Sequence, residues 1–246
     1  MLTSQRKILL LDRLHHDGRL IASDLAAEFA CSEDTIRRDL RELAATGHLL
    51  RVHGGALPAA TTHRPLDDRR TLHPDAKDRL AASAAPLITQ GMTLILDGGT
   101  THLALIRHLP LTLSATIITH SPGIAAALEF HPQIAVILIG GKLYRQSMVA
   151  TGAATHAGYA SIQADLCLLG VTGLQADHGL TTGDHEECLI KCRMIASASE
   201  TIVLATPDKI GTASPYQIAP LATLAMLITT EPAPSWLPAS VTHRLA

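Results

Sequence analysis

The stretch SEDTIRRDLREL, residues 32–43, decides the fold of the first part of this chain. At about 100° per residue, Ile36, Leu40 and Leu43 fall on one face of a helix. Three arginines occupy the other side, and Ser32 suits the N-cap position. The stretch therefore predicts a helix that is anchored by its apolar face and presents an arginine surface. On its own this pattern is also typical of any solvated amphipathic helix.

The flanking sequence places this helix in a winged helix-turn-helix. Residues 4–15 have helical apolar spacing, residues 24–30 predict a second helix, and Thr46-Gly47 end the quoted one. The following HLLRVHGGALP, residues 48–58, predicts a hairpin with a Gly-Gly turn. In this order of elements, residues 24–30 and the quoted helix form the helix-turn-helix motif, and the quoted helix enters the major groove of DNA.

Guanidinium groups match both phosphate oxygens and base edges, so the arginine surface indicates DNA contacts. The residues expected to contact DNA lie on this helix and on the wing: Ser32, Thr35, Arg37, Arg38, Arg41, Arg51, His53, Gly54 and Gly55. Phosphates would repel Asp39, which is expected to orient a neighbouring arginine instead. Residues 1–57 hold eight Lys/Arg and eight Asp/Glu. Binding through such a local patch should depend strongly on salt.

The composition excludes several other classes of protein. The chain has 246 residues, of which 47% are apolar and only 2% aromatic, and its formal net charge is −2. It is therefore not a generally basic protein, and its core must consist of aliphatic side chains. Four scattered cysteines do not indicate a disulfide framework. Neither a signal peptide nor a run of about 18 uncharged apolar residues is found, which favours a cytoplasmic protein without membrane contact.

The sequence divides into a winged helix-turn-helix at 1–57, a linker at 58–75 and an α/β domain at 76–246. The linker contains prolines and mixed charges without apolar periodicity. Beyond it, continuous apolar runs such as MTLILD, TIITH, DLCLLGV and TIVLAT alternate with Ala-rich segments. This alternation predicts a mostly parallel sheet covered by helices on both faces. Ligands of such folds lie at the carboxyl ends of the strands.

Glycines and polar residues concentrate where these apolar runs end. LDGGTTHL, residues 96–103, suits a cradle for a phosphate or carboxylate, although a simple tight turn has the same composition. Similar segments, THSPG, GGKLYR, GVTG and TPDK, follow other strands. Glu186 and Lys191 are expected either to face a ligand or to form surface salt bridges. Cys188 and Cys192 share a helix side with His185, but without zinc-type spacing they indicate a core position, so no metal is expected.

SEDTIRRDL followed by LLRVHGGA resembles the signature of the DeoR family of bacterial transcriptional regulators. Residues 76–231 resemble the sensor domain of that family, whose fold is related to ribose-5-phosphate isomerase, glucosamine-6-phosphate deaminase and CoA transferases. The segments that carry this likeness are LDGGTT, GGKLYR, GLTT, HEECLIKCRMI and LATPDKIG. The resemblance implies a pocket for a phosphorylated sugar or a similar metabolite, and a homo-oligomer, either dimer or tetramer.

Carried over residue by residue, the resemblance implies a set of effector-binding residues: Asp97, Gly98, Gly99, Thr100 and Thr101 for the phosphate, and Gly140, Gly141, Glu186, Lys191 and Lys209 around the rest. His120 also belongs to this set. It lies in the loop after the second strand of the α/β domain, where family members usually have Asn. Thr206-Pro207-Asp208-Lys209 replaces the usual Asp-Ser-Ser-Lys.

The main functional hypothesis is a repressor of a carbohydrate-utilisation operon that binds operator DNA and releases it when a phosphorylated sugar binds. No catalytic residue and no cofactor are expected. The alternative is a sugar-phosphate isomerase or deaminase with an added DNA-binding domain. That chemistry needs a carboxylate base, and Thr172 stands where the related isomerases have an aspartate. The carboxylates that could still act as this base are Asp97, Asp184 and Glu186.

Overall fold

The computed structural model describes residues 1–60 and 66–246. The first part forms a winged-helix unit of three helices and three short strands: α1 (Thr3–Asp17), β1 (Leu20–Ile21), α2 (Ala22–Glu28), α3 (Glu33–Ala45), β2 (Leu49–Val52) and β3 (Gly55–Pro58). Strand β3 lies between β1 and β2 in an antiparallel sheet. The predicted order of two helices, a tight turn, a third helix and a hairpin is confirmed.

The winged-helix unit has a hydrophobic core of its own. Leu10 and Leu14 of α1 pack with Ile36 and Leu40 of α3, and Leu25 of α2 completes the cluster. All five side chains are buried. This cluster is separate from the two clusters that form the core of the rest of the chain.

The segment predicted as a linker contains regular structure. Ala59, just after β3, pairs with Ala213 of the following domain in a short parallel bridge. Helix α4 (Leu66–Thr71) follows, and α5 (Pro74–Ala84) begins before the predicted linker ends. Residues 61–65 of that linker lie outside the described residues.

The remainder is an α/β domain whose main sheet has seven strands: β4 (Thr93–Leu96), β5 (Ala115–Thr119), β6 (Ile134–Leu138), β9 (Ala164–Leu169), β12 (Ala198–Ala205), β14 (Met226–Thr229) and β15 (Thr242–Leu245). Their order is β15-β14-β12-β9-β4-β5-β6, and all pairs are parallel. Smaller antiparallel pairings involve β7 (Lys142–Tyr144), β8 (Val149–Thr151), β10 (Gly173–Gln175), β11 (Gly179–Thr182) and β13 (Tyr216–Ala219). The predicted mostly parallel sheet is confirmed.

Helices cover both faces of the main sheet. They are α5, α6 (Thr100–Ile106), α7 (Pro122–Ala127), α8 (Ala153–Gly158) and α9 (His185–Ala196). One buried cluster joins α5, α6 and α7 to one face, and the other joins α9 to the opposite face. Among the described residues, no helix has the length and apolar character needed to cross a bilayer.

The parallel arrangement brings four loops to one edge of the sheet. These loops begin at Asp97 after β4, His120 after β5, Gly170 after β9 and Thr206 after β12. Because β4, β9 and β12 are neighbours at the centre of the sheet, their loops lie side by side. This edge is where the sequence predicts a ligand.

Candidate DNA-binding surface and ligand cleft

Helix α3 has the amphipathic form that its sequence predicts. The Ser32 side chain accepts a hydrogen bond from the backbone N–H of Thr35 at 3.2 Å, so the predicted N-cap is confirmed. Ile36, Leu40 and Leu43 are buried in the core of the winged-helix unit. The opposite face of the helix is consequently left to solvent.

Three exposed arginines occupy that solvent face, but they differ in their partners. Arg37 donates to the carboxylate of Glu33 at 2.6 Å and lies 3.9 Å from that of Asp34. Within residues 1–60 and 66–246, Arg38 and Arg41 form no ion pair. The guanidinium groups of Arg38 and Arg41 could therefore accept an anion without breaking an ion pair. The guanidinium of Arg37 would have to release its intrahelical carboxylate partner first.

Asp39 lies on the inner side of α3 and is fully buried. Its Oδ2 atom accepts a hydrogen bond from Nε of Arg6 at 2.5 Å, and this bond raises the pKa of the Arg6 guanidinium. Asp39 thus positions an arginine, as expected, but the arginine belongs to α1 instead of α3. A second, exposed ion pair joins Lys7 of α1 to Glu42 of α3 at 2.5 Å.

Of the four wing residues that are expected to contact DNA, three are exposed and one is buried. Arg51, His53 and Gly54 are exposed around the β2–β3 turn. Gly55 is buried, and a Cβ at this position would lie 1.7 Å from the carbonyl oxygen of Leu20. The expectation that Gly55 contacts DNA is therefore corrected, because its role is to let β1 approach β3.

A cleft opens where the carboxyl ends of β4, β9 and β12 meet α4, α5 and α9. Its volume is about 880 Å³, including the open mouth. One wall consists of the loop from Gly98 to Thr101, and Gly98 is so close to Val149 that a Cβ there would lie 2.4 Å from its Cγ1 atom.

A buried ion pair forms the base of the cleft. Asp97 Oδ2 accepts hydrogen bonds from Nζ of Lys191 at 2.5 Å and from the backbone N–H of Gly170 at 2.8 Å. Nζ of Lys191 also donates to the Gly170 carbonyl oxygen at 2.9 Å. Burial is the largest influence and would by itself neutralise both groups, but the attraction between them, the hydrogen bond that joins them and other nearby charges together outweigh it. The pKa of Asp97 is therefore lowered and that of Lys191 raised. Both members of the pair are therefore charged, and each already has hydrogen-bond partners within the protein.

Behind this pair lies His120, which does not reach the cleft. Its Nε2 atom is 3.7 Å from Asp97 Oδ1, and its Nδ1 atom is 2.9 Å from the hydroxyl of the buried Tyr159. Burial lowers the pKa of His120 to about 4 despite the attraction of Asp97, so the imidazole is neutral at physiological pH. His120 supports the base of the cleft from below.

Three further cations line the cleft together with the Gly98–Thr101 loop: Arg69 of α4, Lys77 of α5, and Lys209 in the 3₁₀ turn after β12. Burial lowers the pKa of Lys209 to about 8, and its cationic neighbours add to the decrease against the opposing effect of Asp208. Burial likewise lowers the pKa of Lys77 and Arg69. Groups whose charge is disfavoured in this way gain most from a bound anion.

The cleft also offers hydrogen-bonding groups. Glu187 accepts a hydrogen bond from Oγ of Ser147 at 3.2 Å, and burial raises the pKa of its carboxyl group. Thr182 also lines the cleft, and its buried Oγ1 atom has no hydrogen-bond partner among the described residues. These groups suit the hydroxyls of a polar ligand.

The structure places the predicted effector-binding residues in three different positions. Six of them line the cleft: Gly98, Gly99, Thr100, Thr101, Lys191 and Lys209. Asp97 and His120 lie beneath it. The structure does not bring Gly140, Gly141 and Glu186 to the cleft, against expectation, because β6 is the edge strand of the sheet, two strands away from β4, and Glu186 is exposed on α9.

Gly141 has a structural role instead. A Cβ there would lie 2.0 Å from Oγ1 of Thr155 and 2.7 Å from the Thr151 carbonyl oxygen. The glycine thus permits close packing of the loop after β6 against β8 and α8.

Sequence reasoning missed Arg69, Lys77, Thr182 and Glu187. A usable signal existed for Glu187, because residues i and i+4 share a helix face and Lys191 is already expected to face the ligand. Arg69 and Lys77 lie more than 20 residues before the first glycine loop, and no local pattern connects them with it.

Comparisons with known families agree with both parts of this description. Residues 6–62 match the model of the DeoR-like helix-turn-helix domain, and residues 72–231 match the model of the DeoR C-terminal sensor domain. Arg69 lies between the two matched ranges. The remaining residues that line the cleft at the strand ends fall inside the second one.

Relatives with assigned names are similar over most of the chain. The HTH-type transcriptional repressor GlcR of Bacillus subtilis is 32% identical over 93% of this chain and 89% of its own length. The glycerol-3-phosphate regulon repressor of Escherichia coli is 31% identical, over 86% and 84%. Among solved structures, ribose 5-phosphate isomerase A of Methanocaldococcus jannaschii aligns with 56% of this chain and 54% of its own at a TM-score of 0.41 and 19% identity.

Proposed function

This chain belongs to the DeoR family of transcriptional regulators, and on that premise we propose that an anionic metabolite in the cleft controls its binding to operator DNA. The metabolite is a phosphorylated sugar or a similar compound. The regulated genes are those of a carbohydrate-utilisation operon, and binding represses them. Such a regulator acts in the cytoplasm, where the chromosome is.

One observation carries the choice of ligand: three cations line the same cleft as a glycine-rich loop. These cations are Arg69, Lys77 and Lys209, whereas the described carboxylates that line the cleft are two, Glu187 and Asp208. A phosphoryl group takes several charge-assisted hydrogen bonds from such a set of cations. Glu187 and Thr182 suit sugar hydroxyls, so the cleft offers groups for both parts of a sugar phosphate.

Release of DNA requires that the effector bind the DNA-free state better than the DNA-bound state. The DNA contacts that we propose are those of the half-buried Thr35 and of the exposed residues of α3, its N-cap and the wing: Ser32, Arg37, Arg38, Arg41, Arg51, His53 and Gly54. Arg38 and Arg41 are the principal ones, since neither has a carboxylate partner among the described residues.

We propose a homo-oligomer assembled through the α/β domain. Strand β6 forms one edge of the main sheet, and Val136, Ile137 and Leu138 of this strand are 39%, 48% and 50% exposed. A long apolar edge strand is normally covered, because its free backbone groups pair readily with another chain. Light scattering after chromatography should give a multiple of 26.1 kDa, and a lower mass for Ile137→Lys.

No catalytic role is proposed. Asp97, a candidate base, is engaged by Lys191 and by two backbone N–H groups, at Gly98 and Gly170. The described carboxylates that line the cleft itself are Glu187 and Asp208. The competing isomerase hypothesis is tested by following aldose and ketose phosphates in the presence of the protein by NMR, where interconversion would favour the enzyme.

The decisive experiment is an anisotropy titration of the protein with DNA from upstream of its own gene. It is run with and without glucose 6-phosphate, fructose 6-phosphate or glycerol 3-phosphate, and with the unphosphorylated parent compounds as controls. We expect binding to weaken with one phosphorylated compound only. Arg38→Ala should weaken DNA binding and reduce the slope of log K against log salt by about 0.9 for one lost phosphate contact. DNA affinity equal to that of Arg38→Ala in all conditions would contradict the regulator.

A further inference from the structure

Arg69 lies in the segment between the DNA-binding unit and the sensor domain. It belongs to α4, whereas the matched family models cover residues 6–62 and 72–231. Its side chain nevertheless lines the cleft, together with Leu72 and His73 that follow it. Helix α4 and the two residues after it therefore form part of the wall of the ligand site.

The Arg69 guanidinium is only loosely held in this position. Its Nη2 atom donates to the Gln146 carbonyl oxygen at 3.3 Å and to Oγ of Ser147 at 3.4 Å, both near the limit of a hydrogen bond. Its buried Nε–H has no acceptor among the described residues. Glu187 and Asp97 act on it electrostatically, but neither forms an ion pair with it within 4.0 Å. A partly buried guanidinium with an unused donor is a site for an anion.

The backbone of Arg69 is held by groups that would themselves meet the anion. Its carbonyl oxygen accepts hydrogen bonds from Nζ of Lys77 and from Oγ1 of Thr100, the latter at 3.4 Å. Both donors line the cleft. A phosphoryl group that takes hydrogen bonds from Lys77 and Thr100 competes with the carbonyl that fixes α4.

The other end of the connecting segment is also tied to the cleft. Ala60 N–H donates to the Ala213 carbonyl oxygen at 3.1 Å, and Ala213 N–H donates to that of Pro58 at 3.2 Å. Thr212, beside Ala213, donates through its hydroxyl to the carbonyl oxygen of Lys209 at 3.0 Å. Both ends of the connection to the winged-helix unit thus rest on elements that carry cations of the cleft.

We propose that Arg69 binds the effector directly and that, through α4, it transmits occupancy of the cleft to the DNA-binding unit. This inference rests on the proposed function, because it assigns a further residue to the same site. The bound anion draws the guanidinium toward the Gly98–Thr101 loop and takes over the donors that hold the Arg69 carbonyl. Helix α4 then moves relative to the winged-helix unit, which is the difference between states that release of DNA requires.

The test uses the full-length chain and three variants on α4. Arg69→Ala removes the guanidinium, and Arg69→Gln keeps an N–H donor without the charge. Arg70→Ala is the matched control, because Arg70 is exposed on the same helix and pairs only with Asp67 at 3.3 Å among the described residues. Calorimetry measures binding of the three phosphorylated probes, and anisotropy measures release of the upstream DNA at saturating probe.

We expect Arg70→Ala to match the unmodified protein in both readouts. Both Arg69 variants should bind DNA normally, bind the active probe about 10- to 100-fold more weakly, and retain DNA when the probe is saturating. Weaker probe binding with full release of DNA at saturation would overturn the coupling through α4. Unchanged probe binding would overturn the whole assignment of Arg69.

The two proposals fail in different ways. If none of the probes displaces DNA from the unmodified protein, the proposed function is wrong and the role of Arg69 is wrong with it. If the unmodified protein responds and both Arg69 variants respond equally well, only the inference about Arg69 is wrong. Should Arg69→Ala not fold, the comparison of Arg69→Gln with Arg70→Ala decides the outcome by the same criteria.

Discussion

Replacing Arg6 by methionine should weaken DNA binding without removing a proposed DNA contact. Arg6 Nε is the partner of Asp39 Oδ2 at 2.5 Å, and the other carboxylate oxygen of Asp39 has no partner among the described residues. The side chains of Arg6 and Asp39 are only 8% and 0% exposed. Arg6→Met therefore leaves an uncompensated carboxylate beneath the helix that carries the arginines proposed to contact DNA.

The expected cost is comparable with the stability of the whole unit. Breaking a buried pair by removing one partner costs about 3 kcal/mol at the lower end of the observed range, which suits a pair in so small a core. A unit of this size has a total stability of about 3–9 kcal/mol. At about 4–8 °C per kcal/mol, the melting midpoint of the winged-helix unit should fall by about 12–24 °C. The sensor domain, with its separate core, should keep its own transition.

Differential scanning calorimetry and DNA anisotropy check this prediction together. Arg38→Ala is the control for direct contact, since it should weaken DNA binding while leaving the melting curve unchanged. The double variant Arg6→Met/Asp39→Leu should recover most of the lost stability, because an apolar pair can replace a buried ion pair at little cost. If Arg6→Met melts within about 2 °C of the unmodified protein, the reasoning about the buried carboxylate is refuted.

Three further outcomes follow from single features of the structure. Gly55→Ala should lower the melting midpoint of the winged-helix unit and weaken DNA binding, since its Cβ would lie 1.7 Å from the Leu20 carbonyl oxygen. Because Lys209 has a pKa of about 8 and an anion favours its charged form, effector affinity should be nearly constant from pH 6.5 to 7.5. Above pH 8 it should fall by up to about tenfold per pH unit, with proton uptake on binding in calorimetry. Glu187→Gln should alter effector affinity about tenfold by calorimetry, whereas Glu186→Gln should not change it.

Much of the fold was predictable because its signals are local. The helical period of residues 32–43 places Ile36 and Leu40 inside and the arginines outside, and the structure agrees. The continuous apolar runs predict buried parallel strands, and the polar residues that follow them gather at one edge of the sheet. In both cases the relevant spacing is shorter than a single element.

Charge partners were harder to predict than elements. Asp39 stands between Arg38 and Leu40 in a helix with three arginines, so a partner on α3 is the natural local choice. The structure pairs it with Arg6, 33 positions earlier, because residue 39 points to the inside of the helix and meets α1. An exposed ion pair such as Arg37–Glu33 follows from i,i+4 spacing, but a buried one depends on which helices pack together.

The same distinction separates the two functional sites. The DNA-contacting candidates lie within residues 32–54, on one helix and one hairpin, so their shared surface follows from local geometry. The cleft is assembled from Arg69, the Gly98–Thr101 loop, Glu187 and Lys209, which only the parallel sheet brings together. A glycine loop can be recognised in the sequence because its backbone conformation requires glycine. A cation that reaches the same loop from a distant helix does not, since its local pattern is that of any solvated residue. This is why Arg69, the site residue nearest the DNA-binding unit, is among those that only the three-dimensional structure reveals.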